Sequence, residues 1–88
     1  MTRLQKHRKS ACRAQNGLCF YCQRRMGSEV TAEHLKARKD GGKDHKDNIV
    51  AACRPCNHAR HAHADYATLS PKEYAWLRLL VLEAGFTH

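Results

Sequence analysis

Eighty-eight residues allow one domain with a small core, and chains of this size commonly need a staple such as a metal or a partner subunit. The formal net charge is +8, and no Asp or Glu precedes Glu29, whereas Arg3, Lys6, Arg8, Lys9, Arg13, Arg24 and Arg25 all do. So one-sided a positive field selects a polyanion, with nucleic acid ahead of an anionic membrane because the basic segment has no strong apolar face to insert. The apolar run Ala75 to Leu82 is too short to span a bilayer and is interrupted by Arg78.

The basic, polar stretch from Met1 to Gln15 lacks the apolar region and cleavage pattern of a secretory signal. It reads as a helix over Leu4 to Gln15, ended by the turn pair Asn16-Gly17. A knuckle follows at Cys19-Phe20-Tyr21-Cys22, then a turn at Gly27-Ser28. Glu29 to Leu35 reads as a short strand. A polar loop containing Gly41-Gly42 leads to a second strand around Ile49 to Ala51, and the two are expected to form a hairpin. A helix is expected to start near Arg54-Pro55, where proline in the first turn costs little. Ser70-Pro71-Lys72-Glu73 has the form of a capping box, with Ser70 as N-cap, Pro71 at N1 and Glu73 at N3, and Gly85 as the matching stop. The helix between them carries Tyr74, Trp76, Leu77, Leu79, Leu80, Val81 and Leu82, more apolar surface than a single stripe. The fold class is therefore α+β. The single domain divides into a basic N-terminal helix (1–16), a knuckle-and-hairpin core (17–66) and a C-terminal helix (70–85).

Five cysteines in so short a chain imply either disulfides or metal. Without a secretory signal the expectation is a cytoplasmic, intracellular and reducing setting, with the cysteines as thiolate ligands. Cys19-x-x-Cys22 and Cys53-x-x-Cys56 are two matched pairs, each able to turn two sulfurs toward one point. Together they supply the four tetrahedral thiolates of a structural Zn²⁺. The rival is a redox pair, but neither sits in a strand-to-helix thioredoxin context. Cys12 is left over and reads as a small apolar residue of the first helix.

Between the knuckles lies Thr31-Ala32-Glu33-His34-Leu35, followed by Gly41-Gly42 and Asp47-Asn48-Ile49-Val50; Cys53-Arg54-Pro55-Cys56-Asn57 closes the series. Cutting a phosphodiester requires an activated water, stabilisation of charge on phosphoryl oxygens and help for the leaving oxygen. A neutral His34 can accept a proton from water near neutral pH. Glu33 is a hard oxygen ligand suited to Mg²⁺ or Mn²⁺. Neighbours in a strand face opposite ways, so both can serve one site only if the strand ends or bends there. Taken alone, His34 is more readily a buried, hydrogen-bonded core histidine.

The ordered set from Cys19 to about His61 resembles the HNH endonuclease family, whose core is a ββα-metal fold. That resemblance implies a small ββα-metal core with a structural zinc, flanked here by the N- and C-terminal helices. It implies that His34 is the general base, that Asn48 holds the loop and orients His34, and that Asn57 binds a divalent metal alongside Glu33. Glu33 stands where Asp is more usual, and Asn57 makes this an H-N-N variant. Asn57 and His61 are four residues apart and share a helix face, so His61 is a candidate third ligand; its plainer reading is one polar histidine in the run His58 to His63. Arg60, three residues from Asn57, is a candidate phosphate clamp, or otherwise a solvated side chain. Arg8, Lys9 and Arg13 are the remaining candidates for contact with nucleic acid.

The function expected from these residues is metal-dependent hydrolysis of DNA. The competing readings are a catalytically inactive, zinc-dependent DNA-binding module and a structural protein that docks through its C-terminal helix. Charge and zinc suit the first two equally, whereas a pure binder has no use for Glu33, His34 and Asn57 together. The wide apolar helix also suggests a homodimer through Pro71 to Ala84.

Overall fold

The computed structural model describes residues 1–83, so Gly85 and the end of the C-terminal helix lie outside the described residues. Helix α1, Arg3–Ala14, starts at a capping box between Thr2 and Gln5: the Gln5 amide donates to Thr2 Oγ1 and the Thr2 amide to Gln5 Oε1. It stops at Asn16 and Gly17, both with positive φ (56° and 75°), as expected of an Asn-Gly pair.

Strands β1, Val30–His34, and β2, Ile49–Cys53, pair antiparallel, with Val30 opposite Cys53 and His34 opposite Ile49. Helix α2, Arg54–Ala62, begins directly after β2 with Pro55 in its first turn. A one-turn helix, α3, Ala64–Ala67, was not anticipated from the sequence. Helix α4, Pro71–Glu83, opens on the expected capping box, in which the Ser70 amide donates to Glu73 Oε1 and the Glu73 amide to Ser70 Oγ. The Ser70 amide, and then the Ser70 hydroxyl, hold the Glu73 carboxyl below the usual carboxylate range. The result is a ββα unit flanked by helices. None of the described helices is long and apolar enough to cross a membrane.

The core is small. Cys19, Tyr21, Met26, Ala51, Ala52, Cys56 and Tyr74 form one buried cluster, with Cys12 of α1 packed against its edge. The C-terminal helix docks chiefly through Tyr74, whose ring meets Tyr21 edge-on at 5.2 Å between centroids. One tyrosine anchors one face only, so Trp76, Leu79 and Leu80 remain exposed, Trp76 by 62 %.

The edge of β2 turned away from β1 is closed by a side chain. Gln15 Nε2 donates to the carbonyls of Leu18 (2.8 Å) and Ala51 (2.9 Å), and Gln15 Oε1 accepts from the Ala51 amide (2.9 Å). Ala51 is fully buried, so its amide has no ready access to water. Gln15→Ala is expected to cost about 1–3 kcal/mol, read as a lower urea midpoint of the zinc-loaded protein; an unchanged midpoint would show that the strand edge does not need this amide.

Candidate metal centres and active site

Cys19 and Cys22 lie on the loop after α1, closed by a bridge between Leu18 and Arg25; Cys53 ends β2, and Cys56 sits in the first turn of α2. The hairpin thus carries one pair to the other, and all four sulfurs lie within 4.8 Å of one another. A tetrahedral Zn²⁺ with bonds of about 2.3 Å separates its sulfurs by about 3.8 Å, so this donor set fits zinc. The amides of Tyr21 and Cys53 donate to Cys19 Sγ at 3.3 and 3.4 Å, as suits a thiolate. Burial pushes the Cys19 and Cys56 thiols up. Burial also acts on Cys22, but the Arg24 amide and the neighbouring thiols outweigh it and bring that thiol down to about 7. Burial thus opposes ionising Cys19 and Cys56, a cost that a bound dication would offset.

Glu33 is only 6 % exposed, and its donors come from the knuckle (Tyr21) and from α2 (Asn57 and Arg60). Oε2 accepts from the Tyr21 hydroxyl (2.5 Å) and from Arg60 Nη1 (3.1 Å). Oε1 accepts from the Asn57 amide (2.7 Å), with His61 Nε2 at 3.5 Å. Arg60 Nη1 also lies 2.9 Å from His61 Nε2. A guanidinium can only donate, so Nε2 presents its lone pair there and its approach to Glu33 is not a hydrogen bond. Burial, and then the hydrogen bond to Glu33, pushes the Tyr21 hydroxyl far above its ordinary range, so it stays a neutral donor.

His34 closes β1, and its ring turns to the following loop rather than to α2. Nε2 lies 2.7 Å from Asp44 Oδ1, and Arg38 bonds the same carboxylate, with Nη2 at 3.0 Å from Oδ1 and 3.1 Å from Oδ2. Among the described residues His34 makes no hydrogen bond to Glu33, Asn57 or His61. Arg60 and His34 nevertheless line one cleft of about 440 Å³, with Lys36, Lys39, Leu69, and Ser70 among its other walls. Asn48 binds the loop to itself: its Oδ1 accepts from the Lys36 amide, and its Nδ2 donates to the carbonyls of Lys36 and Lys43. Gly42 packs so close to the Lys36 carbonyl that a Cβ would sit 1.8 Å from the oxygen, and Gly41 has φ of 92°, which accounts for the Gly-Gly pair.

A model of the HNH endonuclease family matches residues 19–63. The chain belongs to the HNH endonuclease family. The match runs from the first knuckle cysteine past the end of α2 and so covers the four converging cysteines, the hairpin and the helix that follows. No curated protein and no solved structure matched the chain. Membership in a family of endonucleases agrees with a ββα unit built around four converging cysteines.

In this HNH chain Glu33, Asn57 and His61 come together as one cluster, while His34 turns to Asp44 on the loop that Asn48 holds. Arg60, a candidate phosphate clamp or otherwise a solvated side chain by its helical position, is buried rather than solvated. It is 7 % exposed, with Nη1 on Glu33 and Nη2 on the Leu69 carbonyl (2.8 Å), because Glu33 offers a buried charge that an isolated carboxylate could not sustain. Lys9 and Arg13 lie exposed on α1, and Arg8 is half-buried there. Sequence reasoning missed Tyr21, Arg38 and Asp44. Tyr21 is legible only once the knuckle is known to pack over β1. Asp44 and Arg38 carry no spacing signal, since the loop geometry alone brings them to His34.

Proposed function

We propose that this HNH domain is a metal-dependent endonuclease that hydrolyses phosphodiester bonds of DNA. His34 acts as general base, while Glu33, Asn57 and His61 hold one divalent metal. The observation that supports this reading best is that Asn57 Nδ2 and His61 Nε2 lie 2.7 and 3.5 Å from Glu33 Oε1, next to His34 in the chain; a metal bound there would take the His61 lone pair from Arg60 Nη1. With its amide turned over, Asn57 offers Oδ1 to the same point, completing two oxygens and one nitrogen. Bound there, a divalent metal would stabilise charge on the phosphoryl oxygens. The imidazole favours Mn²⁺ over Mg²⁺. His34 takes a proton from water as the water oxygen bonds to phosphorus; one ester P–O bond breaks, and its oxygen leaves with a proton from solvent. The net charge of +8 draws the DNA backbone to the domain.

One observation favours the second reading, a DNA-binding module that does not cut: Glu33 is already neutralised by Arg60 across a buried pair. Plasmid cleavage by zinc-loaded protein with added Mg²⁺ or Mn²⁺ separates the two. Metal-dependent nicking or linearisation is expected, and His34→Ala should lower the rate about 10²- to 10⁴-fold with zinc content and DNA binding unchanged. Full activity in that variant would end the assignment of His34. DNA binding without cutting by the wild type, at low salt and with either metal, would establish the binding module instead.

A further inference from the structure

We propose that Asp44 is the positioning residue for His34, holding its ring as the Nε2–H tautomer and leaving Nδ1 bare to take the proton from water. The inference rests on the nuclease reading above and adds a residue that neither the knuckles nor the loop pattern marks.

Nε2 of His34 and Oδ1 of Asp44 are 2.7 Å apart. An ionised carboxylate can only accept, so the proton of this bond belongs to Nε2. Arg38 Nε also lies 3.3 Å from His34 Nε2, but a protonated Nε2 has no lone pair to receive it. That N–H is used on Asp44 Oδ1, 3.2 Å away. Arg38 therefore fixes the carboxylate and the carboxylate fixes the imidazole. The hydrogen bond from His34, together with the bonds and charge of Arg38, holds the Asp44 carboxyl below the usual carboxylate range, which keeps it an acceptor.

The backbone carries the same constraint. Asn48 Nδ2 binds the carbonyl of Lys43, the residue before Asp44, and Asn48 also clasps Lys36, two residues beyond His34. Asn48 thus reaches His34 through the loop that presents Asp44 rather than by touching the ring. The side chains of His34 and Asp44 are 17 % and 32 % exposed, so the pair is sheltered without being sealed from water. A ring so held needs no reorientation when the water is deprotonated, which is how a carboxylate behind a histidine base contributes to catalysis.

The test uses the zinc-loaded full chain, with Asp44→Ala and Asp44→Asn beside wild type. Wild type should show a far-downfield ring N–H proton resonance correlated to Nε2 of His34 and identified by its loss in His34→Ala. Asp44→Ala should lose it, with a kcat lower by about 10²-fold and unchanged KM, DNA binding and zinc content. Asp44→Asn should fall between, because the neighbours at that position are donors and orient the amide oxygen toward Nε2. A merely structural role would lower zinc content or DNA binding with activity and would not rank the variants this way. Retention of the resonance in Asp44→Ala, or of kcat within about threefold of wild type, would overturn the proposal. If wild type cuts with neither metal the nuclease reading falls, and the resonance alone then sustains or overturns Asp44 as the holder of His34.

Discussion

Stripping the four-cysteine site with a chelator is expected to unfold the chain. The buried cluster explains why. Among the described residues the largest fully buried side chain is Cys19, and around it lie Ala51, Ala52, Met26, Cys56 and two tyrosines, with no leucine or phenylalanine in that cluster. At about 25 cal/mol per Å² of apolar surface, side chains this small return little free energy, whereas ordering the backbone costs about 1–2 kcal/mol per residue. Structural zinc contributes about 10–16 kcal/mol in peptides that fold around it. The four sulfurs tie the loop after α1 to the junction of β2 and α2, so their release frees the elements that carry Glu33 and Asn57. Far-UV circular dichroism should collapse on chelation and recover on adding Zn²⁺, and Cys56→Ser should not regain the native signal. A chelated protein that still melts cooperatively with the same ellipticity would show that the core is sufficient without metal.

The parts of the fold that follow from local chemistry were legible in the sequence. The Asn16-Gly17 turn, the Ser70/Glu73 cap and Pro55 at the start of α2 each have a short-range cause, and each appears at the residues expected. The knuckles are legible for a similar reason: two matched Cys-x-x-Cys pairs can each turn two sulfurs toward one point, and the four sulfurs do converge. Strand ends moved by a residue or two, β1 to Val30–His34 and β2 to Cys53, because pairing across the hairpin sets them. The site was read less completely. Types and order marked Glu33, His34, Asn48 and Asn57, but not that Glu33 is buried against Arg60 or that His34 turns to Asp44. Those facts depend on which way the chain turns after β1 and on how Tyr21 packs, neither of which a sequence spacing encodes. The width of the apolar surface on α4 was legible, and its docking through Tyr74 was not.

Glu33→Ala is expected to destabilise the domain by about 3–5 kcal/mol, in addition to removing a ligand from the proposed divalent site. The side chains of Glu33 and Arg60 are 7 % and 8 % exposed, so deleting the carboxylate leaves a buried guanidinium that, among the described residues, faces only the Leu69 carbonyl and the His61 ring. The Tyr21 hydroxyl loses its acceptor as well. Loss of cleavage in Glu33→Ala would therefore have two causes at once, unlike loss in His34→Ala. Removing both charges separates them. Replacing a whole buried pair by apolar side chains is often close to neutral, whereas breaking it is not. The double variant Glu33→Ala, Arg60→Met should recover most of the lost stability in urea titrations of zinc-loaded protein, while Mn²⁺ binding measured by calorimetry stays absent. The difference between the single and double variants then measures the cost of the orphaned arginine, and the calorimetry measures the ligand. A double variant as unstable as Glu33→Ala would show that Arg60 carries no such penalty. Mn²⁺ binding that survives it would remove Glu33 from the metal site.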